Sequence, residues 1–416
     1  MSGPLELSPE LRELSPGLRE LRGLSRELAA DLRRDALAVD ADPFDTDRLR
    51  TSATLELLRL MGTPKAFRTQ AVPPCADEFT GSALGRVVAN IELAGGDVGV
   101  LNACAAPSLA GLAVEALGDE RQQEFFYRDL AERRSWTFFG MTEPARGSDA
   151  TAMETRLDPE PGGGTHSGSG GSGPGSGHAS GHASGHASGP DGYRLNGAKR
   201  YVANAERGTI GVVFARTGQT ALSIRAVLLR HPTPGFTGTA LDMMGLRGAC
   251  IGHMSFEDVP VPREMVLGRH LPASRRGMWG AVRAFNVIRL QIGAQALGVA
   301  LAIRDYVCAR RPGWSGHELM SARLAAAREL MYRHAIEIDR SPDDRRAPSI
   351  AKLHTTDLAV EATRWAEAAL GPGSLLAHPL LEKWCRDVYA FEFMDGTSNI
   401  LRLTIAPDAA PRRSRA

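Results

Sequence analysis

The chain of 416 residues has almost no charge surplus, 49 Lys and Arg standing against 48 Asp and Glu for a formal net charge of +1. That balance excludes the whole-molecule field that draws a nucleic acid or an anionic membrane to a protein, so neither is expected as a partner. Lysine is scarce. Only Lys65, Lys199, Lys352 and Lys383 occur, the remaining basic residues being Arg, and with so much Ala and Gly this reads as coding bias. The five cysteines (Cys75, Cys104, Cys250, Cys308, Cys385) are far apart with no CxxC pair, which excludes a disulfide framework or a cysteine zinc site and leaves reduced, buried thiols. The longest apolar run, Gly293 to Ile303, is about half of the roughly 20 residues that span a bilayer. The N-terminus lacks the basic and apolar regions of a signal peptide, so a cytoplasmic protein is expected. No GxGxxG after a strand, GxxxxGK[ST], HExxH or GxSxG is present, which disfavours Rossmann dinucleotide binding and phosphoryl transfer.

What is present changes texture twice. Leucines at 7, 11, 14, 18, 21, 28 and 32 follow one helical face, but Pro9 and Pro16 interrupt it, so residues 1–45 are expected as an extension bearing a short amphipathic appendage. Residues 46–135 carry helical periodicity, punctuated at Pro73-Pro74 and Gly95-Gly96. Residues 136–270 are rich in short β-type runs such as 136–139, 211–214, 226–229 and 253–256. Residues 271–416 return to long helical patterns at 278–310, 318–340 and 349–370. Runs segregated as α, β, α argue for an α+β architecture rather than a doubly wound one. Within the β segment, 162–190 is Gly, Ser and His with three HASG repeats. Its composition predicts a disordered insert in a hairpin loop between strands near 155–157 and 193–195, and no metal site is assigned to its histidines.

Five blocks carry the chemistry. Phe139 to Asp149 reads FGMTEPARGSD, a strand entering a polar, glycine-bearing turn whose hydroxyls and N–H groups suit a phosphate-bearing cofactor. Leu195 to Ala205 is a hairpin turn and an aromatic-bearing strand. Gly245 to Gly248 leads to Phe256 to Pro262. Phe285-Asn286-Val287-Ile288-Arg289 lies on a helix with Gln295 to Gly298. Met394-Asp395-Gly396-Thr397-Ser398-Asn399 precedes an apolar run.

From about residue 85 to 406, the order and spacing of these blocks resemble the acyl-CoA dehydrogenase family. The resemblance implies an N-terminal helical domain, a middle β-barrel-like domain and a C-terminal four-helix bundle, with FAD between them and a homodimer or homotetramer as the assembly. Carried over by position, it implies FAD contacts from Phe139, Met141, Thr142, Ser148, Tyr201, Val202, Ala203, Arg310, Thr397 and Asn399. It implies substrate contacts from Ser148, Phe285, Arg289, Met394 and Gly396, Arg289 approaching the pantetheine and phosphate end. Ala203 departs from the usual Thr or Ser and loses a hydroxyl. Arg311-Pro312-Gly313-Trp314 and the Gly371-Pro372-Gly373 loop depart where relatives touch the partner subunit's FAD.

Asp395 stands where most members of that family carry a catalytic glutamate, and no carboxylate at 286–288 offers a substitute. By resemblance it removes the α-proton of an acyl thioester while hydride passes from the β-carbon to flavin N5. The aspartate, the Arg-rich bias and Gly96-Asp97-Val98-Gly99 are similar to members from secondary metabolism. Those members oxidise a small acyl group on CoA or an acyl carrier protein, of the type leading to hydroxymalonyl or methoxymalonyl extender units in polyketide biosynthesis. An electron-transfer flavoprotein or oxygen is the implied acceptor. An oxygen-using flavin oxidase of the same fold and a non-catalytic flavoprotein subunit are the alternatives.

Overall fold

The computed structural model describes residues 14–160 and 192–406. The insert expected at 162–190 and the leucines at 7 and 11 lie outside the described residues. Helix α1 (Pro16–Ala41) starts where Ser15 accepts from the Leu18 N–H and Pro16 takes the first turn, a position at which proline's missing donor costs nothing. Leu18, Leu21, Leu28 and Leu32 are buried on it. This corrects the expected appendage: α1 is part of the core, packed on helix α2 (Ala83–Asn102). Shorter helices at Thr46–Thr51, Ala53–Gly62 and Asp77–Gly81 lie between them in the chain, and helices α3 (Ser108–Leu117) and α4 (Glu120–Arg133) follow, α4 opening with an Asp119/Gln122 capping box.

The glycine pair at 95–96 punctuates α2 as expected: helical geometry is lost at Asp97 (φ −160°, ψ 124°) and resumes as far as Asn102. The Asp97 carboxylate caps the second half by accepting from the Val100 N–H at 2.9 Å. Gly96 also permits close approach, since a Cβ there would lie 2.3 Å from the Ala29 carbonyl oxygen in α1.

Seven strands follow: β1 (Trp136–Gly140), β2 (Arg156–Pro159), β3 (Gly192–Val202), β4 (Gly208–Arg216), β5 (Ile224–Arg230), β6 (Phe236–Ala240) and β7 (Gly252–Pro262). They form one sheet in the order β1-β4-β2-β3-β7-β6, with β5 beside β4. The β1/β4 pair is parallel, and the expected hairpin is present as antiparallel β2 and β3 with Leu157 opposite Leu195. One sheet face buries Phe138, Leu195, Val202, Phe236 and Phe256.

The C-terminal layer comprises α5 (Met278–Arg310), α6 (His317–Arg340), α7 (Arg346–Leu370), α8 (Pro379–Val388) and α9 (Ser398–Ile405). Helix α5 is long and apolar enough by composition to cross a membrane, but 83% of its apolar window is buried. It is the central core helix, clasped by α2 and α7. Gly298 lets α2 approach, as a Cβ there would stand 2.3 Å from the Ile91 oxygen. All five cysteines are free thiols, four of them buried, and burial pushes Cys104 and Cys385 up to about 12.

Candidate active site

The sheet end, the first half of α5 and the turn before α9 meet at one place. Phe139 of β1 meets Phe285 of α5 edge to face with centroids 5.8 Å apart. The Arg289 guanidinium lies 5.8 Å from the Phe285 ring, and its Nε donates to the Asp395 carbonyl oxygen at 2.9 Å. Arg289, expected at the phosphate end of a substrate, is thus engaged with the backbone of the Asp395-Gly396 turn. Met394 and Phe285 both pack on the helical core beneath.

That turn is held from two sides. Asp395 and Gly396 have φ of 51° and 102°, a left-handed conformation that costs a non-glycine residue about 1–2 kcal/mol. Lys352 of α7, fully buried, donates from Nζ to the Gly396 oxygen at 2.8 Å and to the Phe391 oxygen at 3.0 Å. Two cations therefore secure the carbonyls on both sides of the bend. Burial raises the Asp395 carboxyl above its ordinary range, while Lys352 and Arg289 pull the other way. Burial likewise brings Lys352 down to about 8, against the attraction of Asp395. After the turn, the Thr397 hydroxyl accepts from the Ile400 N–H and starts α9, with Asn399 exposed in the first turn.

The FGMTEPARGSD block folds back around a buried ion pair. Lys199 Nζ reaches Glu143 Oε1 at 2.9 Å and the Met141 oxygen at 3.1 Å. Glu143 also accepts from the N–H groups of Glu154 and Thr155 at 2.6 and 2.8 Å. Burial lowers Lys199 to about 8, Glu143 opposing the shift. With its carboxylate so committed, Glu143 fixes the strand while the turn at 144–149, Ser148 included, is exposed. Arg200 N–H donates to the Thr142 oxygen at 2.9 Å, joining this block to β3. At the end of β3, Tyr201 is 59% exposed at a register shift with φ of 59°, Val202 is buried, and Ala203, in the turn that follows, is exposed.

These features fit the flavin half of FAD. Tyr201 and Ala203 present an open, partly aromatic face, Thr142 and Ser148 add hydroxyls, and a Cβ at Gly147 would meet only the Thr142 methyl, at 3.8 Å, leaving the turn's backbone approachable. Arg310 is different. It lies 21 residues beyond Arg289 on α5, roughly 30 Å along the axis, so one chain does not bring it to the other site residues. Its guanidinium is folded onto the Tyr306 ring at 3.4 Å. Trp314 nearby packs on Trp365 at 5.2 Å and on His317, so the departing segment fills its own surroundings with aromatic rings.

Lys352, Glu143 and Lys199 were not among the expected site residues. Their signal was rarity: of four lysines in an Arg-rich chain, Lys199, Lys352 and Lys383 are at most 1% exposed, and only Lys65 is on the surface. A compact ammonium fits enclosed carbonyls and carboxylates that a planar guanidinium does not.

Comparison with known proteins agrees with this geometry. Residues 138–259 match the family pattern of the acyl-CoA dehydrogenase middle domain, and residues 316–409 that of the C-terminal domain. The mitochondrial short-chain specific acyl-CoA dehydrogenase of Rattus norvegicus is 31% identical over 287 residues, covering 64% of this chain and 61% of that enzyme. The short-chain specific acyl-CoA dehydrogenase of Megasphaera elsdenii is 26% identical over 393 residues, covering 90% and 94%. Among solved structures, the prolyl acyl carrier protein oxidase AnaB superposes with a TM-score of 0.75 at 19% identity, covering 96% of this chain and all of that one. The chain belongs to the acyl-CoA dehydrogenase family, a family of FAD-dependent oxidoreductases.

Proposed function

We propose that this protein oxidises a small acyl thioester, with Asp395 as the base that takes the α-proton. The observation that carries this reading is the held Asp395-Gly396 turn, whose carbonyls accept from Arg289 and Lys352, Arg289 itself lying against the Phe285 ring. Bound FAD supplies the hydride acceptor. The chain's own residues do the rest. Phe139, Met141, Thr142, Ser148, Tyr201, Val202, Ala203, Thr397 and Asn399 hold the cofactor. Arg289 and Lys352 fix the base by its backbone and stabilise its carboxylate. Phe285, Met394 and Gly396 border the acyl group. Aspartate is one methylene shorter than glutamate, and a misplacement of about 1 Å can cost on the order of 10²-fold in rate. The substrate must therefore come close to the turn, which favours a short acyl chain. The aspartate and the likeness to a carrier-protein oxidase support a carrier-bound three-carbon unit of the hydroxymalonyl or methoxymalonyl type, with an electron-transfer flavoprotein or oxygen as acceptor.

Anaerobic bleaching of the flavin near 450 nm by acyl-CoA and acyl-carrier thioesters, in wild type and Asp395→Asn, tests the reading. Bleaching by a short thioester that the variant lacks is expected. Equal bleaching in the variant removes Asp395 from the mechanism, and no bleaching by any thioester removes the dehydrogenase. Rapid reoxidation in air would instead identify an oxidase.

A further inference from the structure

The approach to α5 gathers arginines that lack the carboxylate partners found elsewhere in the chain. Arg269 donates to the Arg263 oxygen at 3.1 Å, and Arg276 donates to the Arg269 and Leu271 oxygens at 3.1 and 2.7 Å. Arg225, at the start of β5, donates only to the Leu222 and Ile224 oxygens, and Arg276 stands close enough to lower its pKa further after burial. Arg275 and Arg283 face the Trp279 ring at 5.8 and 5.1 Å. Among the described residues, Arg225, Arg263, Arg269, Arg275 and Arg276 form no ion pair within 4.0 Å, and Arg283 reaches only the exposed Asp343 at 3.8 Å. Some arginines elsewhere are paired, such as Arg26 with Glu92, Arg59 with Glu56, Arg68 with Asp77, and Arg386 with Asp40 and Glu382, and what distinguishes this group is that its members adjoin one another.

Like charges held together without counterions weaken a fold, and at a net charge of +1 the chain as a whole does not demand it. The position supplies the reason. Arg283 precedes Arg289 by six residues, about 9 Å of helix, and the first residue of α5 precedes it by eleven, about 16 Å. The helical part of the patch therefore lies about 9–16 Å along α5 from Arg289, which holds the Asp395 turn. It is also a face rather than a pocket, with Arg269 and Arg275 exposed at its outer edge. The cavity of about 400 Å³ beside Glu143, Arg156 and Asn196 includes none of these arginines.

We propose that this face docks an acidic acyl carrier protein, whose phosphopantetheine arm then reaches Asp395 along the N-terminal half of α5. The proposal rests on the thioester reading above and names the carrier. Complementary surface charge acts chiefly on encounter and orientation, so the patch should govern binding of the carrier protein and leave chemistry at the thioester alone.

The test is fluorescence anisotropy of a labelled, acidic holo carrier protein titrated with the full, FAD-loaded chain at 25 and 250 mM NaCl. Saturable binding is expected that weakens at least about ten-fold with salt, and by a similar factor in Arg269→Glu/Arg275→Glu, with Arg275→Lys close to wild type. The same double variant should leave KM for the acyl-CoA within about two-fold. No binding at 25 mM, or binding indifferent to salt and to charge reversal, overturns the proposal. An equal rise in KM for acyl-CoA also overturns it, since the patch then serves a nucleotide phosphate. Failure of the dehydrogenase reading would show separately, as thioesters that leave the wild-type flavin unbleached while the carrier still binds.

Discussion

At the scale of single residues, Asp395, the proposed base, and its two neighbouring cations make a charge balance that can be disturbed one group at a time. Lys352 and Arg289 both favour the ionised Asp395, while burial disfavours it. Lys352→Met removes an attraction and keeps the desolvation, so the Asp395 carboxyl should rise further. The acid limb of the kcat/KM profile then moves to higher pH, and kcat falls on the order of 10²-fold as the turn loses its hold on the Gly396 carbonyl. A pH profile checks this: a fall in rate with an unmoved limb would show that Lys352 supports only the backbone. Asp395→Asn keeps the shape and the turn but removes the base, and should abolish flavin reduction without changing FAD binding. In the sequence, Asp395 could be singled out as the proposed base because it sits in a recognisable block. Lys352 could not, since its partners are the carbonyls of Phe391 and Gly396, and a carbonyl leaves no trace in residue identity.

At the scale of elements, periodicity was informative where one face alone was apolar or where a run was long. The strands at 136–139 and 226–229, the β2–β3 hairpin and the three long C-terminal helices were all legible for that reason. The misreading of the N-terminal helix as an appendage has a local cause, because proline at a first helical turn breaks nothing. Pro16 reads as an interruption but takes the first turn of α1 behind its Ser15 cap. Gly96 reads as a break, helical geometry is indeed lost at the next residue, and it is also the point where α1 and α2 touch. The same logic applies to Gly298, where α2 presses on α5. Gly298→Ala should destabilise the fold by about 1–3 kcal/mol through overpacking, although alanine is the better helix former by about 1 kcal/mol. Urea unfolding decides the sign: a stabilised variant would mean that the helices separate freely and that the contact is not needed.

At the scale of the whole molecule, the layers are tied together by one buried charge cluster centred on Lys383. Lys383 of α8 reaches both oxygens of Asp97 at the α2 bend, at 2.9 and 2.7 Å, and Asp387 at 2.7 Å. Trp384 donates to Asp97 at 3.1 Å, and Asp387 accepts from the Leu246 N–H at 2.7 Å, which brings in the loop before β7. Two carboxylates share one ammonium, so Lys383→Met should cost about 3–5 kcal/mol by leaving both buried and unpaired. The pH dependence has a definite sign. Burial pushes Asp387 up to about 6, against the pull of Lys383, whereas an unfolded aspartate titrates near 3.9. Between those values the folded chain holds the extra proton, so this group's contribution is full below about pH 4 and is lost as pH rises through 6. Asp387→Asn is blind to that titration. Wild type should therefore lose stability relative to Asp387→Asn between pH 4 and 7, read as the difference in unfolding free energy at each pH. A difference that stays constant would mean that Asp387 is ionised throughout and that Lys383 dominates the cluster.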